Sequence, residues 1–84
     1  MKENVILHDL NPHEIGQRLE ALRKDNELST WQLGKKLTVC HTSISVWERG
    51  DRIPSTQVIA KYSQFFSVTT DYILFGIRNT EAEA

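Results

Sequence analysis

Apolar residues recur at three- and four-residue intervals along most of this chain, and capping residues bound each stretch, so the pattern predicts five helices. Asn11 caps the first, with Pro12 at the first helical position and Glu14 completing an Asn-x-x-Glu box; Ile15, Leu19 and Leu22 then face inward until the helix ends near Asn26. Ser29 opens the second, with Gln32 reaching back as a capping box and Leu33 and Leu37 on one face. A break at Thr38 and Val39 precedes the third, where Ile44 and Trp47 recur at helical spacing and Gly50 follows as a left-handed stop. Pro54 and Ser55 start the fourth, with Val58, Ile59, Tyr62, Phe65 and Phe66 on one side. After a turn at Ser67 and Val68, Thr69 caps a short fifth helix containing Tyr72, Ile73 and Leu74. With no alternating β-branched run and no internal repeat, the fold class is all-α.

The span 29–50, STWQLGKKLTVCHTSISVWERG, holds two short helices and a tight turn, the arrangement of a helix-turn-helix DNA reader. On a wheel of about 100° per residue, His41, Thr42, Ser45, Val46 and Arg49 fall within an arc of roughly 140°. Ser43, Ile44 and Trp47 take the other side. The outward arc is mostly small and hydrogen-bonding, which lets a helix backbone approach base edges in a major groove. A merely solvated polar face is the competing reading of the same wheel.

From Ile15 to Gly76 the chain resembles the Cro/CI repressor type of helix-turn-helix domain, also called the XRE family and lambda-repressor-like. The carriers are IGQRLEALRK (15–24), LSTWQLGKKL (28–37), VCHTSISVWERG (39–50), RIPS (52–55) and SVTTDYILFG (67–76), in order and at family spacing. The resemblance implies that His41, Thr42, Ser45 and Val46 meet base edges, with Val46 standing where many relatives carry a long polar or basic residue. It implies phosphate contacts by Thr30, by the amides opening the second helix, by Arg49 and by Arg52. Trp31, on that second helix, either lies on sugar and phosphate or covers Leu28. The family further implies an ion pair of Arg23 with Glu48 that orients the recognition helix. Gly34 stands where alanine is common, allowing close helix approach, and Thr38 replaces the usual turn glycine, so the turn is expected to differ locally. Leu74, Phe75 and Ile77 either form a patch for pairing with a second subunit or close the monomer core.

Eighty-four residues suit one small domain: an arm at 1–10, the helix-turn-helix domain at 11–78 and an acidic flexible tail at 79–84. The arm's Val5, Ile6 and Leu7 are expected to pack on the domain or reach a second subunit, since a DNA-wrapping arm should be rich in Lys or Arg and this one has only Lys2. The chain carries a net charge of −1, yet between Ile15 and Arg78 nine basic residues oppose six acidic ones, a balance of +3. Phosphate neutralisation by a monomer is therefore modest, and specific binding calls for two subunits. Asp51 beside Arg52 works against a nearby phosphate.

No stretch approaches the ~20 apolar residues of a membrane span and no signal-peptide pattern opens the chain, so a cytoplasmic protein without membrane contact is expected. The single cysteine, Cys40, excludes an internal disulfide. It holds a capping position where Ser or Thr is usual, and a thiol at a helix N-terminus can have a lowered pKa; a small neutral cap is the favoured reading over a redox switch. Cys40, His41, His8 and His13 do not make a metal site, because neighbours at a helix start cannot easily share one zinc and no CxxC or HxxxH spacing occurs. No catalytic triad, phosphate loop or paired acid site is visible, so neither an enzyme nor a cofactor is expected. The expected function is a sequence-specific regulator of transcription, a repressor binding double-stranded DNA as a homodimer at a pseudopalindrome. The alternative is a protein-interaction module of the same fold, an antitoxin-like or co-regulator subunit binding a partner protein.

Overall fold

The computed structural model describes residues 9–78, which form α1 (Pro12–Asp25), α2 (Thr30–Leu37), α3 (His41–Arg49), α4 (Thr56–Phe66) and α5 (Thr70–Phe75). Every regular element among the described residues is a helix, and no strand occurs among them. The expectations for residues 1–8 and for the tail at 79–84 lie outside them.

Local chemistry sets the helix starts. Ser29 Oγ accepts from Gln32 N at 3.0 Å while Gln32 Oε1 accepts from Ser29 N at 2.8 Å, a complete capping box. Ser55 and Thr69 cap α4 and α5 through Val58 N and Tyr72 N. Asn11 accepts from Glu14 N at 3.0 Å, but the return bond from Glu14 is not made, so only half of the expected box forms. Pro54 lies buried ahead of the Ser55 cap rather than inside the helix.

The core is Ile15 and Leu19 of α1, Leu33 and Leu37 of α2, Ile44 of α3, Ile59 and Tyr62 of α4, and Ile73 of α5. Each fully buried aliphatic side chain contributes about 1.5–3 kcal/mol relative to leaving it in water. Phe65 departs from the sequence pattern: it is 41% exposed and leans edge-on against half-buried Phe66. Ile59, Tyr62 and Phe66 supply the inward row at helical spacing, and Phe65, one position out of that row, falls on its shoulder.

α1 packs on α3, which also lies along α2; α5 closes against α1 and α4. The α1–α3 crossing is tight because Gly16 has no side chain: a Cβ there would stand 2.5 Å from the carbonyl oxygens of Trp47 and Glu48. Two cations then tie distant helix ends. Arg18 of α1 donates to the carbonyls of Ile73 and Leu74 at 2.9 and 3.0 Å, and Lys61 of α4 donates to Leu37 O at 3.0 Å, each satisfying carbonyls at a helix C-terminus.

Candidate nucleic-acid interface

The α2–α3 turn fixes the pose of α3. Thr38 takes the left-handed conformation, φ 60° and ψ 50°, and Val39 N donates to Gly34 O at 3.0 Å. The expectation of an altered turn is therefore wrong: the β-branched residue is held in the glycine-favoured region because the chain must reverse there to bury Leu37 and Ile44 together. Gly34 faces the turn, where a Cβ would meet Val39 O at 2.7 Å. Gly50, at φ 83°, ends α3.

With Ile44 fully buried and Trp47 packed against the core, α3 turns its other side outward. Thr42 and Arg49 are exposed, and His41, Ser45 and Val46 half-exposed. Ser45 Oγ makes a long bond to His41 O at 3.4 Å, leaving its acceptor side open. Cys40 at the N-cap makes no capping bond with its side chain; instead Sγ and Thr42 Oγ1 share a hydrogen bond at 3.0 Å. That bond, with the amides of Thr42 and Ser43, holds the exposed thiol below its ordinary pKa.

The residues expected at phosphates fall into two groups. Thr30 lines a shallow depression with Ser45, Arg49 and the Arg23–Glu48 pair, and Arg52 lines another with Thr42, Ser43, Val46 and Trp47. Arg52 pairs with no described residue, whereas Arg49 Nε binds Asp51 Oδ2 at 3.0 Å. Asp51 is thus engaged with Arg49, in an exposed pair of the kind worth about 0–1 kcal/mol. Trp31 stands near the start of α2. It is 63% exposed, and its ring stacks on His41 with centroids 3.6 Å apart and planes 21° from parallel.

Arg23 reaches from α1 to the last turn of α3. Its Nε and Nη2 donate to Glu48 Oε2 and Oε1 at 2.7 and 2.9 Å, and Nη1 donates to Leu28 O at 2.9 Å. The hydrogen bond to Glu48 raises the guanidinium pKa, against the lowering effect of burial. Among the patch residues at the end of α5, Leu74 packs on the domain's own core, Phe75 is half-buried and Ile77 is 43% exposed. Sequence reasoning missed Arg18 and Lys61 as ties between helix ends; their only signal was a long cation on a helix face, which spacing alone cannot assign.

No helix among the described residues is long and apolar enough to cross a membrane, and no group of three or more His, Cys, Asp or Glu among them could hold a metal ion.

A family model described as helix-turn-helix matches residues 19–73. The HTH-type transcriptional activator BcrR of Enterococcus faecalis is 40% identical over 63 residues, covering 75% of this chain and 31% of its own length. The HTH-type transcriptional regulator DicA of Escherichia coli (strain K12) is 36% identical over 62 residues, covering 74% of this chain and 46% of its own. The chain thus spans less than half the length of these curated relatives. The P22 c2 repressor protein, solved in complex with a synthetic operator, superimposes with a TM-score of 0.71 at 32% identity, over 75% of this chain and 96% of that one.

Proposed function

This chain belongs to the Cro/CI-type helix-turn-helix family, and we propose that it is a sequence-specific, double-stranded-DNA-binding regulator of transcription, a cytoplasmic repressor acting as a homodimer on a pseudopalindromic operator. In this reading residues 11–78 are the DNA-reading domain, flanked by an arm at 1–10 and a tail at 79–84. The observation that carries it is the outward face of α3, where His41, Thr42, Ser45 and Val46 stand on a helix locked from behind by Ile44, Trp47 and the Arg23–Glu48 pair. Short polar side chains on a rigid helix suit hydrogen bonding to base edges, and Val46 suits a thymine methyl. Thr30 and Arg52 flank that face as phosphate contacts, and a phosphate displaces Asp51 from Arg49 at small cost because that pair is exposed. Phe75 and Ile77, at and just after the end of α5, supply the pairing surface.

Selection from a random duplex library at near-physiological salt tests this directly. Enrichment of a two-fold symmetric motif, with half-sites about one helical turn apart, is the expected result. A folded protein that enriches no motif would overturn it in favour of a partner-protein role, the reading that the Arg49–Asp51 pairing favours by removing a free cation from the face.

A further inference from the structure

Resting on the DNA-reading proposal, we propose that Trp31 sets base specificity through His41: the indole braces the imidazole so that its edge, and not its face, meets a single base pair. Trp31 is at the start of α2 and His41 is the first residue of α3, so the stack bridges the two helices at the end of α3 where base contacts begin. A centroid separation of 3.6 Å with planes 21° apart is face-to-face contact, which covers one face of the imidazole. No described residue hydrogen-bonds either ring nitrogen of His41, so both remain open along the edge. Trp31 itself stands clear of the core, so its bulk is spent on a neighbour that faces outward.

The adjoining side chain is also held. Thr42 shares its hydroxyl with Cys40 Sγ, and Gly34 lets the turn settle close enough that a Cβ there would be 3.4 Å from His41 N. A side chain fixed before binding loses less freedom on meeting the base, which sharpens the distinction between right and wrong pairs. An uncharged indole releases no counterions, so this role is separable from phosphate neutralisation.

The test measures binding to a selected operator and to duplexes substituted singly along one half-site, for the wild type, Trp31→Ala, Trp31→Phe, His41→Ala and the double alanine variant. Trp31→Ala and His41→Ala are expected to lower preference at the same base pair, each by about tenfold, with little further loss in the double variant and an unchanged salt slope. Trp31→Phe keeps a stacking face and is expected to keep the preference. In the DNA-free protein, the His41 ring-proton resonances should lie upfield in the wild type and Trp31→Phe and return to ordinary positions in Trp31→Ala. Equal weakening on all duplexes, additive losses in the double variant, or His41 resonances indifferent to Trp31 would each overturn the proposal while leaving DNA reading intact. A wild type without sequence preference would remove the DNA-reading proposal, and this one with it.

Discussion

Arg23 and Glu48 form a two-pronged ion pair that fastens the last turn of α3 to α1, with only 12% and 7% of the two side chains exposed. Parallel hydrogen bonds from one guanidinium to both carboxylate oxygens fix distance and angle together, so the pair sets the azimuth of α3 as well as its depth. Glu48→Ala leaves the Arg23 charge enclosed and uncompensated. A loss of about 3 kcal/mol in urea-unfolding free energy is expected, and a loss under about 1 kcal/mol would show that the pair carries little.

Tyr62 is fully buried, and its hydroxyl has no hydrogen-bond partner among the described residues. Burial is the main cause that pushes its pKa up, with the Glu48 carboxylate adding to it and Arg23 opposing. The folded state therefore holds the phenolic proton more tightly than the unfolded chain, whose tyrosine titrates near about 10. Stability from this source is intact below that pH and is lost as pH rises above it, at up to about 1.4 kcal/mol per pH unit. Tyr62→Phe is expected to match or exceed wild-type stability at pH 7 and to show a shallower decline between pH 10 and 11. Chemical unfolding across that range checks both; a variant clearly weaker at pH 7 would mean that the hydroxyl is satisfied.

Thr38→Gly should stabilise the fold by about 1 kcal/mol. The threonine is held at φ 60°, where a β-branched side chain is strained and glycine is not, and that relief exceeds the entropy glycine adds to the unfolded chain. A rise in thermal midpoint is the expected reading; an unchanged or lower midpoint would show the exposed turn relaxing around Thr38 at no cost.

Gly34→Ala should act in the opposite sense despite the better helix propensity of alanine, about 1 kcal/mol in its favour. The new Cβ would stand 2.7 Å from Val39 O, a backbone atom that cannot step aside without moving the α2–α3 turn. A net loss of about 1–2 kcal/mol is expected on unfolding, with weaker DNA binding in proportion to the displaced His41. A gain in stability would contradict the close approach described for this turn.

Much of the fold was legible because its signals are local. Ser29 with Gln32, Ser55 and Thr69 announce helix starts within three residues of themselves, and Ile15, Leu19, Leu33 and Ile44 reveal inward faces by spacing alone. The Arg23–Glu48 pairing came from resemblance, since no periodicity links residues 25 apart. What stayed hidden depends on tertiary geometry. Thr38 shows the demand of a turn overriding intrinsic preference, and Phe65 shows that five apolar residues in one helix do not all fit one stripe. The Trp31–His41 stack was invisible because a sequence gives neither the direction of an exposed indole nor the distance between two helix starts. The resemblance implied a phosphate contact for Arg49, and its exposed pairing with Asp51, two residues on, was not read from the sequence.

On the proposed function, the outward face of α3 is the surface that meets DNA. Amide NMR of the protein titrated with a selected duplex maps that surface residue by residue. Shifts are expected to concentrate at Thr30 and Trp31, at the residues from His41 to Val46, and at Arg49 and Arg52. Shifts confined to the face carrying Phe65 or Ile77, with α3 unmoved, would contradict it.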